Sequence, residues 1–262
     1  MSTPLRLSRS GSVATLTLNR PETGNAIDIP MADAFLDAVL QCDADADVRC
    51  VVLTGAGSMF CTGGDVKAFA AAGDATPALI KRLTAPLHAG IARLTRMNKP
   101  LVTSVNGAAA GAGFGLAILG DVAIAARSAK FAIAYGALGL SPDAGTTWLL
   151  PRLVGLRQAQ RLALEGERID ATEAERIGLI SRCVADDALG DETNRVAERM
   201  AAASMGSIRR TRELLHASFG AGLETHLENE AQTIARSSEA PEGREGIAAF
   251  AEKRKPNFKD AR

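Results

Sequence analysis

The stretch SVNGAAAGAGFG, residues 104–115, consists almost entirely of small residues and contains four glycines. It overlaps the end of the apolar run LVTSV at residues 101–105, which is typical of a buried strand. Glycines let the backbone approach a ligand closely and adopt positive φ. Because N–H groups at a loop-to-helix junction have no partner inside the helix, they can bind an anion. The stretch therefore predicts a strand, a ligand-binding loop and a helix that begins near Ala112.

A second stretch of the same kind, VVLTGAGSMFCTGGD, occupies residues 51–65. Two such junctions in one chain indicate two N–H donors that converge on one oxygen atom, which is the geometry of an oxyanion hole. Tight packing of the glycines without a binding site is the alternative interpretation. Gly55 and Gly57 also resemble half of a dinucleotide-binding fingerprint, but Phe60 stands where the third glycine belongs.

Hydrophobic periodicity predicts an α/β fold in which strands and helices alternate in the first half of the chain. The predicted strands cover residues 13–19, 50–54, 101–105, 122–126 and 130–133. The predicted helices cover residues 30–41, 77–95, 146–153, 157–165, 172–177, 187–203, 207–218, 222–235 and 242–253, besides the one near residue 112. Since helices dominate the last third, we divide the chain into an α/β core, residues 1–200, and a helical C-terminal region, residues 201–262.

The composition limits the classes of partner and compartment. With 30 basic and 30 acidic residues the formal net charge is zero, so the chain lacks the basic excess that nucleic acid binding requires. The four cysteines form neither a CxxC pair nor a zinc-ligand spacing. Residues 1–9 do not resemble a secretory signal. We therefore expect a cytoplasmic protein without a metal site.

Residues 100–120 carry no charge and are about as long as a membrane span. Within them, Gly107, Gly111 and Gly115 have the GxxxG spacing of membrane helix dimers. Polar residues and glycines interrupt the segment, however, and no other segment supports insertion. We therefore expect no membrane association.

Four segments occur in an order and at intervals that resemble the enoyl-CoA hydratase/isomerase (crotonase) family. They are NRPETGNA at residues 19–26, FCTGGD at 60–65, VNGAAAGAG at 105–113 and PDAGTT at 142–147, and the tail at 246–258 is similar as well. The resemblance spans nearly the whole chain. It implies a crotonase-like spiral of ββα units over residues 1–200 and a helical trimerisation region over residues 201–262. It also implies a homotrimer, or a hexamer formed as a dimer of trimers.

The resemblance implies an acyl-CoA substrate, with coenzyme A as part of the substrate and no tightly bound cofactor. It assigns the oxyanion to the N–H groups of Thr62 and Ala112. The residues expected to contact the rest of the substrate are Asn25 and Ala26 near the adenine, Gly63, Gly64 and Asp65 along the pantetheine, and Lys67, Gly111, Gly115 and Tyr135. Asp65 has a favoured alternative role as the cap of the following helix. Lys253 or Lys255 are further candidates for the phosphates, unless they form a solvated basic face.

Two departures from the family pattern bear on the reaction. Hydratases that the chain resembles use two glutamates to hold and deprotonate water, but Gly115 and Tyr135 stand at those positions. Neither residue can act as a carboxylate base, so we do not expect ordinary hydration. The missing side chain at Gly115 also predicts an empty volume and a roomier pocket.

Asp143 is the remaining carboxylate in the right region. In isomerising relatives, including the ring-epoxide isomerase of phenylacetate breakdown, this position resembles the catalytic base, and in dehalogenating relatives a nucleophile. One carboxylate suffices to take a proton from C2 of a 3-enoyl thioester and deliver it to C4. The alternative is that Asp143 caps the helix at Thr146.

For the other polar candidates the sequence favours structural roles over catalytic ones. We expect surface or packing roles for the three histidines, His88, His216 and His226. Tyr135 either orients the substrate or Asp143, or it lines the core.

Three functions therefore stay open at this point. The first is an isomerase that shifts a double bond or rearranges a ring epoxide through Asp143. The second is a hydratase, hydrolase or dehalogenase with the same oxyanion hole. The third is a catalytically silent CoA-binding protein.

Overall fold

The computed structural model describes residues 3–261. Its strands are β1 (Leu5–Ser10), β2 (Val13–Leu18), β3 (Cys50–Gly55), β4 (Met59–Cys61), β5 (Leu101–Val105), β6 (Ala108–Ala110), β7 (Val122–Ala126), β8 (Lys130–Ala132), β9 (Ile169–Asp170) and β10 (Arg182–Val184). Its helices are α1 (Ile29–Ala44), α2 (Val66–Ala72), α3 (Thr76–Arg96), α4 (Ala112–Ala117), α5 (Thr146–Leu164), α6 (Ala171–Arg176), α7 (Leu189–Ala202), α8 (Met205–Ala217), α9 (Leu223–Glu239) and α10 (Pro241–Ala251).

The larger sheet has the strand order β1-β2-β3-β5-β7-β10. All neighbours from β2 to β10 are parallel, and β1 pairs with β2 in antiparallel fashion. The central strand β5 is buried along its whole length. Helices cover both faces of such a strand, which explains its nearly continuous apolar sequence. Here Val196 and Ala197 of α7 pack on one side, and the core that includes Phe35 of α1 lies on the other.

A smaller sheet has the strand order β4-β6-β8-β9, and its strands β4 and β6 lie within the two glycine-rich stretches. The parallel pairing of β4 with β6 aligns the two loops that follow these strands. Glycine is required where the backbones meet: a Cβ atom added to Gly107 would lie 2.0 Å from the carbonyl oxygen of Ser58, and one added to Gly113 would lie 2.2 Å from that of Cys61. The glycines therefore hold the two junctions side by side.

The predicted strands and helices are all present, with boundary shifts of a few residues. The helices predicted at 146–153 and 157–165 form one element, α5, with a non-helical break at Gly155, where φ is 75°. The sequence did not predict β1, α2, β9, β10 or the short strands β4 and β6. The proposed division between residues 200 and 201 falls inside α7 and stays a prediction.

A buried arginine links helix α8 to the C-terminal end of α3. Arg212 of α8 is 8% exposed and donates to the carbonyl oxygens of Leu94, Met97 and Lys99 at the end of α3, and to Asp121. Leu94 lies in the last turn of α3, and Met97 and Lys99 follow the helix, so their carbonyl groups have no partner inside α3. The guanidinium group therefore ties the C-terminal helices to the α/β core.

The uncharged segment at residues 100–120 forms β5, β6 and α4 in the interior of the protein. Within residues 3–261, the helices are too short or too polar to cross a membrane.

Candidate active site

The two glycine-rich loops touch each other through their backbones. A Cβ atom added to Gly63 would lie 2.9 Å from the carbonyl oxygen of Ala110 and 3.2 Å from the amide nitrogen of Ala112. Gly63 and Gly111 also have φ of 97° and 54°, which favours glycine. Because the loops lie so close together, donors from both can reach one ligand atom.

The N–H groups of Gly64 and Ala112 lie at this contact and have no acceptor among residues 3–261. Ala112 begins α4, where the first N–H groups lack partners inside the helix. Gly64 forms a parallel bridge with Ile27, in which Ile27 donates to the Gly63 carbonyl and Asp65 donates to the Ile27 carbonyl. The N–H group of Gly64 itself points away from that bridge. Both residues line the same cleft.

The assignment of an oxyanion donor to Thr62 is wrong. Its N–H group donates to the carbonyl oxygen of Gly24 at 3.0 Å, and its hydroxyl contacts the carbonyl oxygens of Thr23 and Gly24 at 3.3 and 3.2 Å. Thr62 lines the cleft, but its donors are in use. The unpaired donor two residues later, at Gly64, takes its place. Ala112 is where the sequence predicted it.

Asp143 lies in the loop before α5 and lines the cleft together with Gly64 and Ala112. Its side chain is 28% exposed. Tyr135 donates a hydrogen bond to Oδ1 of Asp143, and Nε2 of His88 lies 3.3 Å from Oδ2. The side chain does not cap α5, whose first residue binds only the Asp143 carbonyl oxygen at 2.9 Å. Of the two roles considered for this residue, the carboxylate in the cleft is thus the one compatible with the structure.

The phenol of Tyr135 is protonated at neutral pH. Burial raises the pKa of its phenol well above the ordinary value, and the negative charge of Asp143 raises the pKa further. The hydroxyl is therefore a permanent donor at neutral pH. This contact supports the expectation that Tyr135 orients Asp143, which stays a prediction, and the ring also packs against the core.

His88 is a residue that the sequence analysis missed. It was expected on the surface or in packing, but it contacts Asp143 and accepts the N–H group of Ala144 at 3.3 Å. The sequence carried no signal for this contact, because only the structure shows that Ile80 and Thr84 of α3 line the cleft and that His88 follows Thr84 by one helical turn. Residues four apart share a face of a helix.

The cleft has a volume of about 240 Å³. Its wall is mostly apolar, and the side chains that form it are Val66, Phe69, Ile80, Leu83, Leu138 and Leu140. Among the described lining residues, Asp143 is the sole carboxylate and none is Lys or Arg. The cleft therefore suits an uncharged acyl group next to one acid/base.

The predicted empty volume at Gly115 does not exist. A Cβ atom added there would lie 2.7 Å from the carbonyl oxygen of Ala144 and 2.8 Å from Oγ1 of Thr146. Ala144 has φ of 51°, and this turn directs its backbone into the space. Gly115 is buried and does not line the cleft, so its assignment as a substrate contact is wrong.

Asn25 is a structural residue. It is fully buried, and its amide donates to the carbonyl oxygens of Ala56, Met59 and Phe60 while its oxygen accepts the N–H group of Arg20. With its polar atoms in use, the side chain has no donor or acceptor left for an adenine, and the place of Asn25 near the adenine end stays a prediction. Ala26 is also buried, and its place near the adenine stays a prediction.

Asp65 caps α2, as the favoured interpretation expected. Its carboxylate accepts the N–H group of Ala68 at 3.2 Å and forms an ion pair with Arg20 at 3.4 Å.

Lys67, Lys253 and Lys255 are exposed. Their contacts with phosphates stay predictions. Within residues 3–261, no three His, Cys, Asp or Glu side chains cluster so that they could hold a metal ion.

Comparisons with known proteins agree with the fold. A family model for enoyl-CoA hydratase/isomerase matches residues 8–261. The 1,2-epoxyphenylacetyl-CoA isomerase of Escherichia coli (strain K12) is 39% identical over 251 residues, which cover 94% of each chain. A probable enoyl-CoA hydratase of Rhodobacter capsulatus is 37% identical over 97% of each chain.

Among solved structures, an enoyl-CoA hydratase from Polaromonas sp. JS666 superposes with a TM-score of 0.92. The sequence identity is 32%, and the match covers 96% of this chain and 98% of that chain. The predicted crotonase-like α/β fold is thereby confirmed. The chain belongs to the enoyl-CoA hydratase/isomerase family.

Proposed function

We propose that the protein isomerises an acyl-CoA thioester, with Asp143 as the single acid/base. The observation that carries this proposal is the shared cleft of one carboxylate, Asp143, and two unpaired N–H groups, those of Gly64 and Ala112. A carboxylate next to such donors can remove a proton from C2 of a thioester while the developing enolate oxygen is bound.

In this reaction the carboxyl group of Asp143 acts first as a base and then as an acid. Asp143 takes the proton from C2 of a 3-enoyl thioester, which leaves a dienolate whose oxygen accepts the N–H groups of Gly64 and Ala112. The protonated carboxyl group returns the proton to C4 and forms the conjugated 2-enoyl product. Because Tyr135 occupies Oδ1, Oδ2 is the oxygen that carries the proton. Each N–H donor contributes about 2.7–4 kcal/mol to lowering the barrier.

Hydration is the second candidate, since the relative from Rhodobacter capsulatus is named a probable enoyl-CoA hydratase. Paired carboxylates that hold water are not available here, because Asp143 is the sole carboxylate among the described residues of the cleft. The name of the Escherichia coli relative, 1,2-epoxyphenylacetyl-CoA isomerase, supports isomerisation, including that of a ring epoxide. The apolar wall favours an uncharged acyl group.

Assembly is part of the same proposal. The C-terminal helices expose large apolar side chains, namely Leu223, Leu227, Ile234, Ile247 and Phe250. Exposed apolar surface of this kind is typical of protein interfaces, and it supports the predicted homotrimer or hexamer. Hydrolase, dehalogenase and silent CoA-binding functions remain alternatives, and the cytoplasmic location stays a prediction.

A direct comparison of two substrates tests the reaction type. Purified protein is given a 3-enoyl-CoA, with the absorbance of the conjugated product as the readout, and separately a 2-enoyl-CoA, with loss of that absorbance through water addition as the readout. We expect conjugation to be much faster than hydration. Faster hydration would refute the proposed isomerase, and binding without either reaction would favour the silent CoA-binding protein.

A further inference from the structure

The two oxygens of the Asp143 carboxylate have different partners. Oδ1 accepts the hydroxyl of Tyr135, whereas Oδ2 lies 3.3 Å from Nε2 of His88. The same Nε2 lies 3.3 Å from the amide nitrogen of Ala144. Nε2 therefore has two compatible states: without a proton it accepts the N–H group of Ala144, and with a proton it donates to Oδ2.

His88 also connects this oxygen with solvent. Its side chain is 47% exposed, against 28% for Asp143. Nδ1 has no hydrogen-bond partner among residues 3–261. Tyr135 is unsuited to the same task, because its raised pKa keeps the proton on the phenol. His88 is thus the titratable group between the carboxylate and bulk water.

We propose that His88 is a positioning residue that relays protons between Oδ2 of Asp143 and solvent, and so sets how often a proton taken from the substrate is lost before it is returned. This inference rests on the proposed acid/base role of Asp143. It goes beyond that role because it assigns the exit route of the proton, which the isomerisation itself does not require.

The relay is balanced in protons and charge. After Asp143 removes the C2 proton, Oδ2–H transfers it to the unprotonated Nε2, so that the carboxylate is restored and an imidazolium forms. The imidazolium releases the proton on Nδ1 to water. The neutral ring then holds its proton on Nε2, and exchange with water returns the starting tautomer. No bond of the substrate changes during these steps.

The test measures isomerisation and hydrogen exchange together in D₂O. A 3-enoyl-CoA reports the rate of conjugation, and mass spectrometry reports deuterium in its product. Phenylacetyl-CoA, which has an acidic C2–H but no double bond to shift, reports wash-in of deuterium at C2. The natural protein is compared with the His88→Gln variant, because a glutamine amide can still donate to Oδ2 and accept the N–H group of Ala144 but cannot carry a proton.

We expect wash-in at C2 to fall by about 10²-fold in His88→Gln, the lower end for loss of an acid/base group, and to fall by a clearly larger factor than the isomerisation rate. A purely structural role would lower both rates by the same factor, and that result would overturn the relay. Unchanged wash-in would also overturn it, because Asp143 would then exchange with water directly. If the natural protein shows neither isomerisation nor wash-in, the proposed acid/base role fails, and the relay fails with it.

Discussion

The hydroxyl of Tyr135 donates a hydrogen bond to Oδ1 of Asp143. The two residues come from different segments of the cleft wall: Tyr135 follows β8, and Asp143 precedes α5. The contact fixes one oxygen of the carboxylate and leaves the other available for the substrate. At position 135, where the resemblance to hydratases implies a glutamate, the chain thus has a tyrosine that holds the carboxylate of Asp143 and supplies no second carboxylate.

The Tyr135→Phe variant tests this orientation. The substitution keeps the ring in the core and removes one hydrogen bond to a charged group, which is worth about 1.5–3 kcal/mol. We expect kcat of isomerisation to fall by about 10- to 100-fold with little change in KM. A kcat equal to that of the natural protein, measured on the same 3-enoyl-CoA, would show that Asp143 needs no orientation by Tyr135.

The Ala112→Pro variant tests the oxyanion hole. Proline is well tolerated at the first position of a helix and has no N–H group, and Ala112 begins α4. We expect kcat to fall by about 10²–10³-fold, the usual cost of one oxyanion donor. The Ala112→Gly variant keeps the N–H group and serves as the matched control, with an expected rate near that of the natural protein. Equal rates for both variants would contradict the role of this N–H group.

The Gly115→Ala variant tests the filled space beside Ala144. Because a Cβ atom there would lie 2.7 Å from a backbone oxygen, the loop has to shift, and overpacking of this kind costs about 1–3 kcal/mol of the free energy of unfolding. Gly190 of α7 has open space around it, so Gly190→Ala is the control, with an expected gain of about 0.4–1 kcal/mol. Denaturant unfolding measures both, and equal effects would contradict the crowding.

The same crowding predicts that a glutamate cannot be accommodated at position 115. A Gly115→Glu variant brings a charged side chain into a buried site that the Ala144 turn already fills. We expect loss of folded protein rather than gain of water addition to a 2-enoyl-CoA. A soluble, folded variant with new hydratase activity would contradict this account of the site.

The Arg212→Met variant tests how the C-terminal helices are attached to the core. Removal of the guanidinium group takes the donor from three carbonyl groups and leaves Asp121 with the N–H group of Leu101, and each buried acceptor left unsatisfied costs about 1–3 kcal/mol. Arg209 of the same helix makes a loose, exposed ion pair with Glu213 at 3.9 Å. We expect Arg209→Met to change the free energy of unfolding by less than about 0.5 kcal/mol. Similar losses for both variants would argue against a special role of Arg212.

Several features of the site were readable in the sequence because they depend on local chain properties. The alternation of strands and helices follows from hydrophobic periodicity, and the close contact of the two loops follows from their glycines, including Gly63 and Gly111. Asp143 was identifiable because the segment PDAGTT at residues 142–147 resembles the family motif that carries an aspartate. Each of these features depends on which residue types occur at a fixed spacing, and that spacing can be read directly from the sequence.

Other features depend on contacts between distant segments. Which N–H group is unpaired was decided by Gly24, whose carbonyl oxygen takes the donor of Thr62 and leaves that of Gly64. The space beside Gly115 was filled by a turn at Ala144 with positive φ. His88 reaches Asp143 only because α3 packs beside the loop before α5. Spacing along the chain does not encode such contacts, so the sequence alone could not predict them.

The most direct test of the central claim is the isomerisation rate of the Asp143→Asn variant on a 3-enoyl-CoA. Asparagine has the same shape and still accepts the hydroxyl of Tyr135, but it cannot take a proton from C2. We expect kcat to fall by about 10²–10⁴-fold, while the midpoint of thermal unfolding and the affinity for the substrate stay close to those of the natural protein. A variant that retains the natural rate would show that another group moves the proton and would contradict the assignment of Asp143 as the acid/base.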